Sequence, residues 1–220
     1  MNRRYCIALA VLTAVLGLST VSGTAAPIKA SQAGSPKTIL VLGDSLSAEY
    51  GLKRGGGWVA LLEQRLESEQ VNASMINASI SGETTTGGRS RLAALLAQHK
   101  PTHLIIELGA NDALRGTPLS LTQDNLTFMT QAAQHAGAKV LLIGMQVPPN
   151  YGRDYSLRFA ALFASIAKTN KAALVPFLLR GIADAADTAR LFQADGFHPT
   201  EQAQPIMLGN VWPELQKLLK

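Results

Sequence analysis

Short apolar runs alternate with stretches of helical periodicity along most of the chain. Thr38-Ile39-Leu40-Val41-Leu42 is a run of β-branched and aliphatic residues and predicts a first strand. Trp58 to Gln70 carries Trp58, Leu61, Leu62 and Leu66 at helical spacing, and Val71 to Asn77 predicts a second strand. Ser90 to His99 reads as the end of a second helix and His103 to Leu108 as a third strand. Leu119 to His135 predicts a third helix, with Gly137 where a helix-terminating glycine belongs. Lys139 to Gly144 follows as a fourth strand, Tyr155 to Asn170 as a fourth helix, Ala172 to Val175 as a short fifth strand, and Thr200 to Leu219 as a closing helix. Strands this uniformly apolar are expected to be buried on both faces, as in a parallel sheet covered by helices on each side. The predicted fold class is α/β: a single-domain, three-layer α/β/α sandwich around a five-stranded parallel sheet.

The first residues follow a different pattern. Arg3 and Arg4 precede an apolar run from Ile7 to Leu18, and small residues follow around Gly23-Thr24-Ala25-Ala26. That order predicts a secretory signal over residues 1–25, with a run well short of the ~20 residues a membrane-crossing helix needs. Residues 26–36 read as a disordered lead-in and 37–220 as the folded domain. Cys6 is the only cysteine and lies inside the predicted signal. A mature chain would then hold no disulfide, no Cys-ligated zinc and no thiol nucleophile. The formal net charge is +5, from 20 Lys+Arg against 15 Asp+Glu, and it is scattered. With aromatics at 5%, the chain lacks the basic face and stacking rings of a nucleic-acid binder.

In a doubly wound sheet, ligands bind outside the carboxyl ends of the strands. Gly43-Asp44-Ser45-Leu46-Ser47 follows the first strand and Ser79-Ile80-Ser81-Gly82-Glu83 the second. Gly109-Ala110-Asn111-Asp112 follows the third, and Asp195-Gly196-Phe197-His198-Pro199 lies past the fifth. The residue types fit acyl transfer. A serine hydroxyl needs a base within hydrogen-bond reach, and His198 can serve Ser45 as that base. Asp195, three residues earlier, can hold the ring in the required tautomer. The candidate oxyanion donors are the Ser45 N–H, the backbone at Gly82 and the Asn111 amide. Each piece alone is common, but the product of their chance expectations is about 1 in 10⁴. Other constellations fail. No Gly-x-Ser-x-Gly elbow is present, Pro101 separates His99 from His103, and Gly55-Gly56-Gly57-Trp58 lacks the Lys-Ser/Thr of a phosphate loop. That glycine run reads as a flexible loop. Asn72-Ala73-Ser74 and Asn77-Ala78-Ser79 match a glycosylation sequon but fall in or at a strand predicted to be buried, so they read as structural.

At these residues the chain resembles a known family. Gly43-Asp44-Ser45-Leu46-Ser47, Gly82, Gly109-x-Asn111-Asp112 and Asp195-x-x-His198-Pro199 look like the four blocks of the SGNH, or GDSL, hydrolases. Glu107-Leu108-Gly109, Leu114-Arg115-Gly116, Pro148-Pro149-Asn150-Tyr151-Gly152 and Leu174-Val175-Pro176-Phe177 resemble one branch, the periplasmic thioesterase–lysophospholipase–arylesterase group of Gram-negative bacteria. The resemblance implies a flavodoxin-like fold, Ser45 as nucleophile, Gly82 and Asn111 in the oxyanion hole, and Asp195 and His198 completing a triad. It implies small acyl esters or thioesters as substrates, no metal or organic cofactor, no nucleic-acid partner and no membrane span in the mature chain. A periplasmic or secreted monomer is expected. The chain departs from the branch at Ala110 and Ala113, where glycines are usual, and at Glu83 and Phe197. A carbohydrate O-acetylesterase and a non-catalytic periplasmic binding protein are the alternatives.

Overall fold

The computed structural model describes residues 36–220. The expected signal over 1–25 and the lead-in up to residue 35 lie outside the described residues. Within them, β1 (Lys37–Gly43), β2 (Ala73–Asn77), β3 (His103–Glu107), β4 (Lys139–Ile143) and β5 (Ala173–Val175) form a five-stranded sheet. Its order is β2-β1-β3-β4-β5 and every pairing is parallel. The helices are α1 (Trp58–Ser68), α2 (Thr85–His99), α3 (Ala110–Leu114), α4 (Leu119–His135), α5 (Arg153–Asn170) and α6 (Gln204–Leu218). α1 and α6 pack together over one face of the sheet, while α2, α4 and α5 lie side by side over the other. The three-layer α/β/α domain expected from the apolar runs is the one observed.

Burial explains the composition of the strands. All of β3, and β1 from Ile39 onward, are buried, as is β4 after Lys139. Apolar side chains suit a sheet covered twice, hence the Ile, Leu and Val runs, with His103 and Glu107 at the two ends of β3 as buried polar exceptions. α1 turns Trp58, Val59, Leu62 and Leu66 into this core, and α5 adds Phe159 and Phe163. Gly137, at φ 87°, follows the last turn of α4 and takes the left-handed conformation that a terminating glycine supplies cheaply.

Three local expectations are corrected. The second strand starts at Ala73, not Val71, and as an edge strand it is only half-buried rather than buried. The closing helix is split: a 3₁₀ turn over Glu201–Ala203 precedes α6, because Pro205 has no N–H to give and suits a first helical turn. The glycine run 55–57 is ordered around an anion of the chain's own. The Glu49 carboxylate accepts from Gly55 N–H at 3.0 and 3.1 Å and from Gly57 N–H at 2.9 Å, so those amides have no vacancy for a phosphate.

Ile105, at the centre of the middle strand, has no exposed surface. Ile105→Ala is expected to lower unfolding free energy by about 3 kcal/mol through lost burial and a residual cavity, read from urea denaturation midpoints.

Candidate active site

The sheet reverses its winding between β1 and β3: the chain leaves β1 toward β2 on one side and comes back to β3 on the other. That is where an open α/β sheet leaves a crevice. Gly43 is level with Glu107 across the β1–β3 pair, so the segments starting at Asp44 and Leu108 emerge side by side.

Ser45 sits in the turn after β1. Asp44 Oδ1 accepts the Leu46 N–H at 3.0 Å, the Asp44 carbonyl accepts from Ser47 and Ala48, and Asn77 Nδ2 donates to the Ser47 carbonyl at 2.7 Å from the end of β2. This explains why the Asn77 sequon residue is structural even on a half-exposed strand. Gly43 has to be glycine. A Cβ there would lie 2.7 Å from Ser47 Oγ and 2.9 Å from Glu107 Oε2.

His198 and Asp195 arrive on one loop. Gln193 N–H donates to the His198 carbonyl at 2.7 Å and Thr200 N–H to the Leu191 carbonyl at 2.9 Å, closing a narrow antiparallel loop. Gly196, at φ 71°, makes its turn. Within it Asp195 Oδ1 accepts the backbone N–H of Phe197 at 2.9 Å and of His198 at 3.0 Å, and Asp195 Oδ2 meets His198 Nδ1 at 2.7 Å. These bonds, the His198 N–H foremost, pull the Asp195 carboxyl down to about 2, so it is an anion at any working pH. An anion can only accept, so His198 Nδ1 carries the hydrogen and Nε2 presents its lone pair. Nε2 lies 2.9 Å from Ser45 Oγ. The Tyr50 ring lies against the imidazole, centroids 4.3 Å apart.

The structure therefore brings Ser45, His198 and Asp195 into one hydrogen-bonded line. Asn111 is on α3, and its Nδ2 donates to Asp44 Oδ2 at 2.9 Å, beside Ser45. Gly82 lies in the turn after β2, at φ 77°. Ile80 N–H ties that turn to the Gly43 carbonyl at 3.0 Å, and Arg115 Nη2 donates to the Gly82 carbonyl at 2.8 Å. Among the described residues, the N–H groups of Ser45 and Gly82 have no acceptor. All the site residues expected from the sequence thus sit at the carboxyl end of the sheet. A cavity of about 920 Å³ opens beside Ser45 and His198, with Met145, Val147, Phe177, Leu179 and Phe192 among its walls. Among the described residues no group of three or more His, Cys, Asp or Glu could hold a metal.

Several contributors escaped the sequence reading. Gln193 Nε2 donates to the Tyr50 carbonyl at 2.9 Å and to the Pro199 carbonyl at 3.1 Å, joining the histidine loop to the serine loop. Nothing in a single sequence marks such a glutamine. Arg115 was visible only as part of Leu114-Arg115-Gly116. Glu107, the one acid in a buried strand, was a signal that could have been followed.

A fold of this order with a Ser–His–Asp line at its switch point defines an acyl-transfer type of α/β protein. Comparison with known proteins narrows the class: residues 41–205 match the GDSL-like Lipase/Acylhydrolase family, and the chain belongs to that family. It is 48% identical over 199 residues to "Esterase TesA" of Pseudomonas aeruginosa, covering 90% of this chain and 98% of that one. It is 38% identical over 188 residues to "Thioesterase 1/protease 1/lysophospholipase L1" of Escherichia coli, covering 86% and 88%. Among solved structures, a psychrotrophic esterase EstA from Pseudoalteromonas sp., inhibited by monoethylphosphonate, superposes with a TM-score of 0.77 at 45% identity, covering 83% of this chain and 98% of that one.

Gln193→Ala removes the tie between the two loops without touching the reacting atoms. It is expected to lower kcat roughly tenfold, because small misplacements of a general base are costly, with little change in melting temperature. Steady-state kinetics beside calorimetry checks it; an unchanged kcat would show that the tie is dispensable.

Proposed function

We propose that the protein is a serine esterase that hydrolyses carboxylic esters and acyl thioesters, lysophospholipids included, through an acyl-enzyme on Ser45. The observation that carries this reading is the line Ser45 Oγ–His198 Nε2–Asp195 at 2.9 and 2.7 Å opening onto the apolar cavity. In this scheme Ser45 Oγ attacks the acyl carbonyl while His198 Nε2 takes its proton. The ring then returns the proton to the leaving alkoxide or thiolate. Asp195 fixes the ring's tautomer and balances the imidazolium. The oxyanion is received by the N–H groups of Ser45 and Gly82 and by the Asn111 amide. Water, activated by the same histidine, releases the acid. Every step uses groups of this chain.

The size of the cavity and its aliphatic and aromatic walls support an acyl chain rather than a bare acetyl group. Ala110, one of the lining residues, and Ala113 lie in α3, where alanine favours helix over glycine by about 1 kcal/mol each. The segment after β3 is accordingly a formed turn of helix. We further propose that residues 1–25 are a signal removed on export to the periplasm or beyond, and that the enzyme acts as a monomer. No helix among the described residues is long and apolar enough to cross a membrane.

The test is hydrolysis of p-nitrophenyl esters from acetate to palmitate by the purified protein beside Ser45→Ala. The wild type is expected to peak at intermediate or long chains and to be labelled by a phosphonate at Ser45, while Ser45→Ala loses both activity and label. Equal rates with and without Ser45 would sink the reading, and an acetate-only peak would turn it into a sugar deacetylase. In a companion measurement, Asn111→Ala is expected to reduce kcat about 10²- to 10³-fold with KM nearly unchanged, as for loss of one oxyanion donor. A pure KM effect would place Asn111 in ground-state binding instead.

A further inference from the structure

Behind the Ser45 turn lie two buried acids to which the acyl-transfer scheme gives no work. Asp44 is 1% exposed and Glu107 fully buried. Glu107 Oε2 accepts from Ser47 Oγ at 2.8 Å and from the Asp44 N–H at 3.3 Å. Asp44 Oδ1 accepts from the Leu46 N–H at 3.0 Å and Asp44 Oδ2 from Asn111 Nδ2 at 2.9 Å. The Asp44 N–H bond to Glu107 Oε2 and the level register of Gly43 with Glu107 set the two carboxyl groups beside each other. Neither forms an ion pair with any lysine or arginine among the described residues. Glu107 Oε1 is buried and meets no N–H or O–H donor among the described residues.

Two buried anions set beside each other without a cation would be strongly unfavourable, so one of the pair keeps a proton. The environment decides which acid keeps it. Asp44 has two N–H donors on its carboxylate and the His198 ring within electrostatic reach, all of which favour its anion. Burial still raises it to about 6. Glu107 is buried more completely, and Asp44 is the charge that faces it, so desolvation and then repulsion hold its proton well above the usual carboxyl range.

We propose that Glu107 is a neutral carboxylic acid that donates to the Asp44 carboxylate, and that this pair is a positioning device for Asn111. The Asn111 amide is planar, so fixing one N–H on Asp44 Oδ2 fixes the direction of the other. The second N–H is thereby held toward the oxyanion site before substrate arrives, the kind of preorganisation that makes an oxyanion donor effective. Gly43 is part of the device, since its missing side chain is what lets Glu107 and Ser47 close on the Ser45 turn. The role assigned to Asn111 rests on the esterase reading above, whereas the proton on Glu107 does not.

The sign of the pH effect follows. If Glu107 is neutral at working pH, as proposed, it loses its proton only as the solution is made more alkaline. The pair then becomes two anions, Asp44 swings away, and Asn111 loses its anchor. The groups facing the pair are Ser47 from the Ser45 turn, Asn111 from α3 and His198 from the loop beyond β5.

Two arms test this. In infrared difference spectra of wild type against Glu107→Gln at neutral pH, a protonated-carboxyl C=O band that shifts in D₂O is expected, disappearing at the alkaline pH where kcat falls. In kinetics, Glu107→Gln keeps an N–H donor for Asp44 but has no proton to lose. Its kcat is expected within about fivefold of wild type and without the alkaline fall, whereas Glu107→Ala loses about 30- to 100-fold in kcat with KM little changed. Absence of the band, an alkaline limb unchanged in Glu107→Gln, or a glutamine variant as poor as the alanine one overturns the proposal. Should Glu107→Ala fail to fold, the band and the glutamine profile decide. If no ester is turned over at all, the esterase reading falls, and the band alone then judges the proton on Glu107.

Discussion

The parallel pairing of β1 with β3 is the constraint on which the site depends. Its register sets Gly43 opposite Glu107, so the chain leaves the sheet at two adjacent points on the same level. One exit carries Ser45 and the other Asn111. Shifting that pairing by one residue would turn each side chain of one strand to the opposite face, out of the space packed around it, and would carry the Asn111 exit out of line with Ser45. The register is therefore fixed by the burial of Ile39 to Leu42 against Leu104 to Ile106, and the geometry of the chemistry is inherited from the core.

Beyond the strand ends there is little apolar packing to hold loops, and hydrogen bonds take over. Asn77 reaches from β2 to the Ser47 carbonyl, Gln193 from the histidine loop to Tyr50, Arg115 from the end of α3 to Gly82, and Glu49 folds the glycine run onto itself. A typical bond of this sort is worth about 1 kcal/mol net, too little to fold a loop alone. Three of them link the loops that follow β1, β2, β3 and β5, and the Glu49 contacts brace one loop from within, so each loop is located by its neighbours.

Much of this was legible in the sequence, for a physical reason. Core strands buried on both faces must be apolar, so their runs stand out, and Gly43-Asp44-Ser45, Asn111 and Asp195-x-x-His198 are residue types whose chemistry allows few substitutes. What escaped was of another kind. β2 reads like its neighbours in sequence, yet it is an edge, and edge status belongs to topology rather than to the run itself. The 55–57 glycines looked free because their partner, Glu49, is recognisable as a partner only after the chain has turned at its own φ of 61°. Gln193 and Arg115 act through backbone carbonyls, which every residue has, so sequence gives no hint of whom they meet. Glu107 is the intermediate case. Its isolation among apolar neighbours signals a burdened residue, but the burden appears only when Asp44 is set against it across the register.

Placing Asp195 and His198 three residues apart in one closed loop has a mechanical consequence. Their mutual geometry is set by short-range bonds within the loop and is indifferent to how the rest of the molecule breathes. Only one distance in the line, from Nε2 to Ser45 Oγ, spans separate parts of the fold. The hydrogen-bonded line thus has one joint, and it opens or closes with the rigid-body docking of a single hairpin onto the carboxyl end of the sheet. A thermal fluctuation that undocks the hairpin would silence the site while leaving the sheet intact, and redocking restores it whole, because nothing inside the hairpin has to be rebuilt.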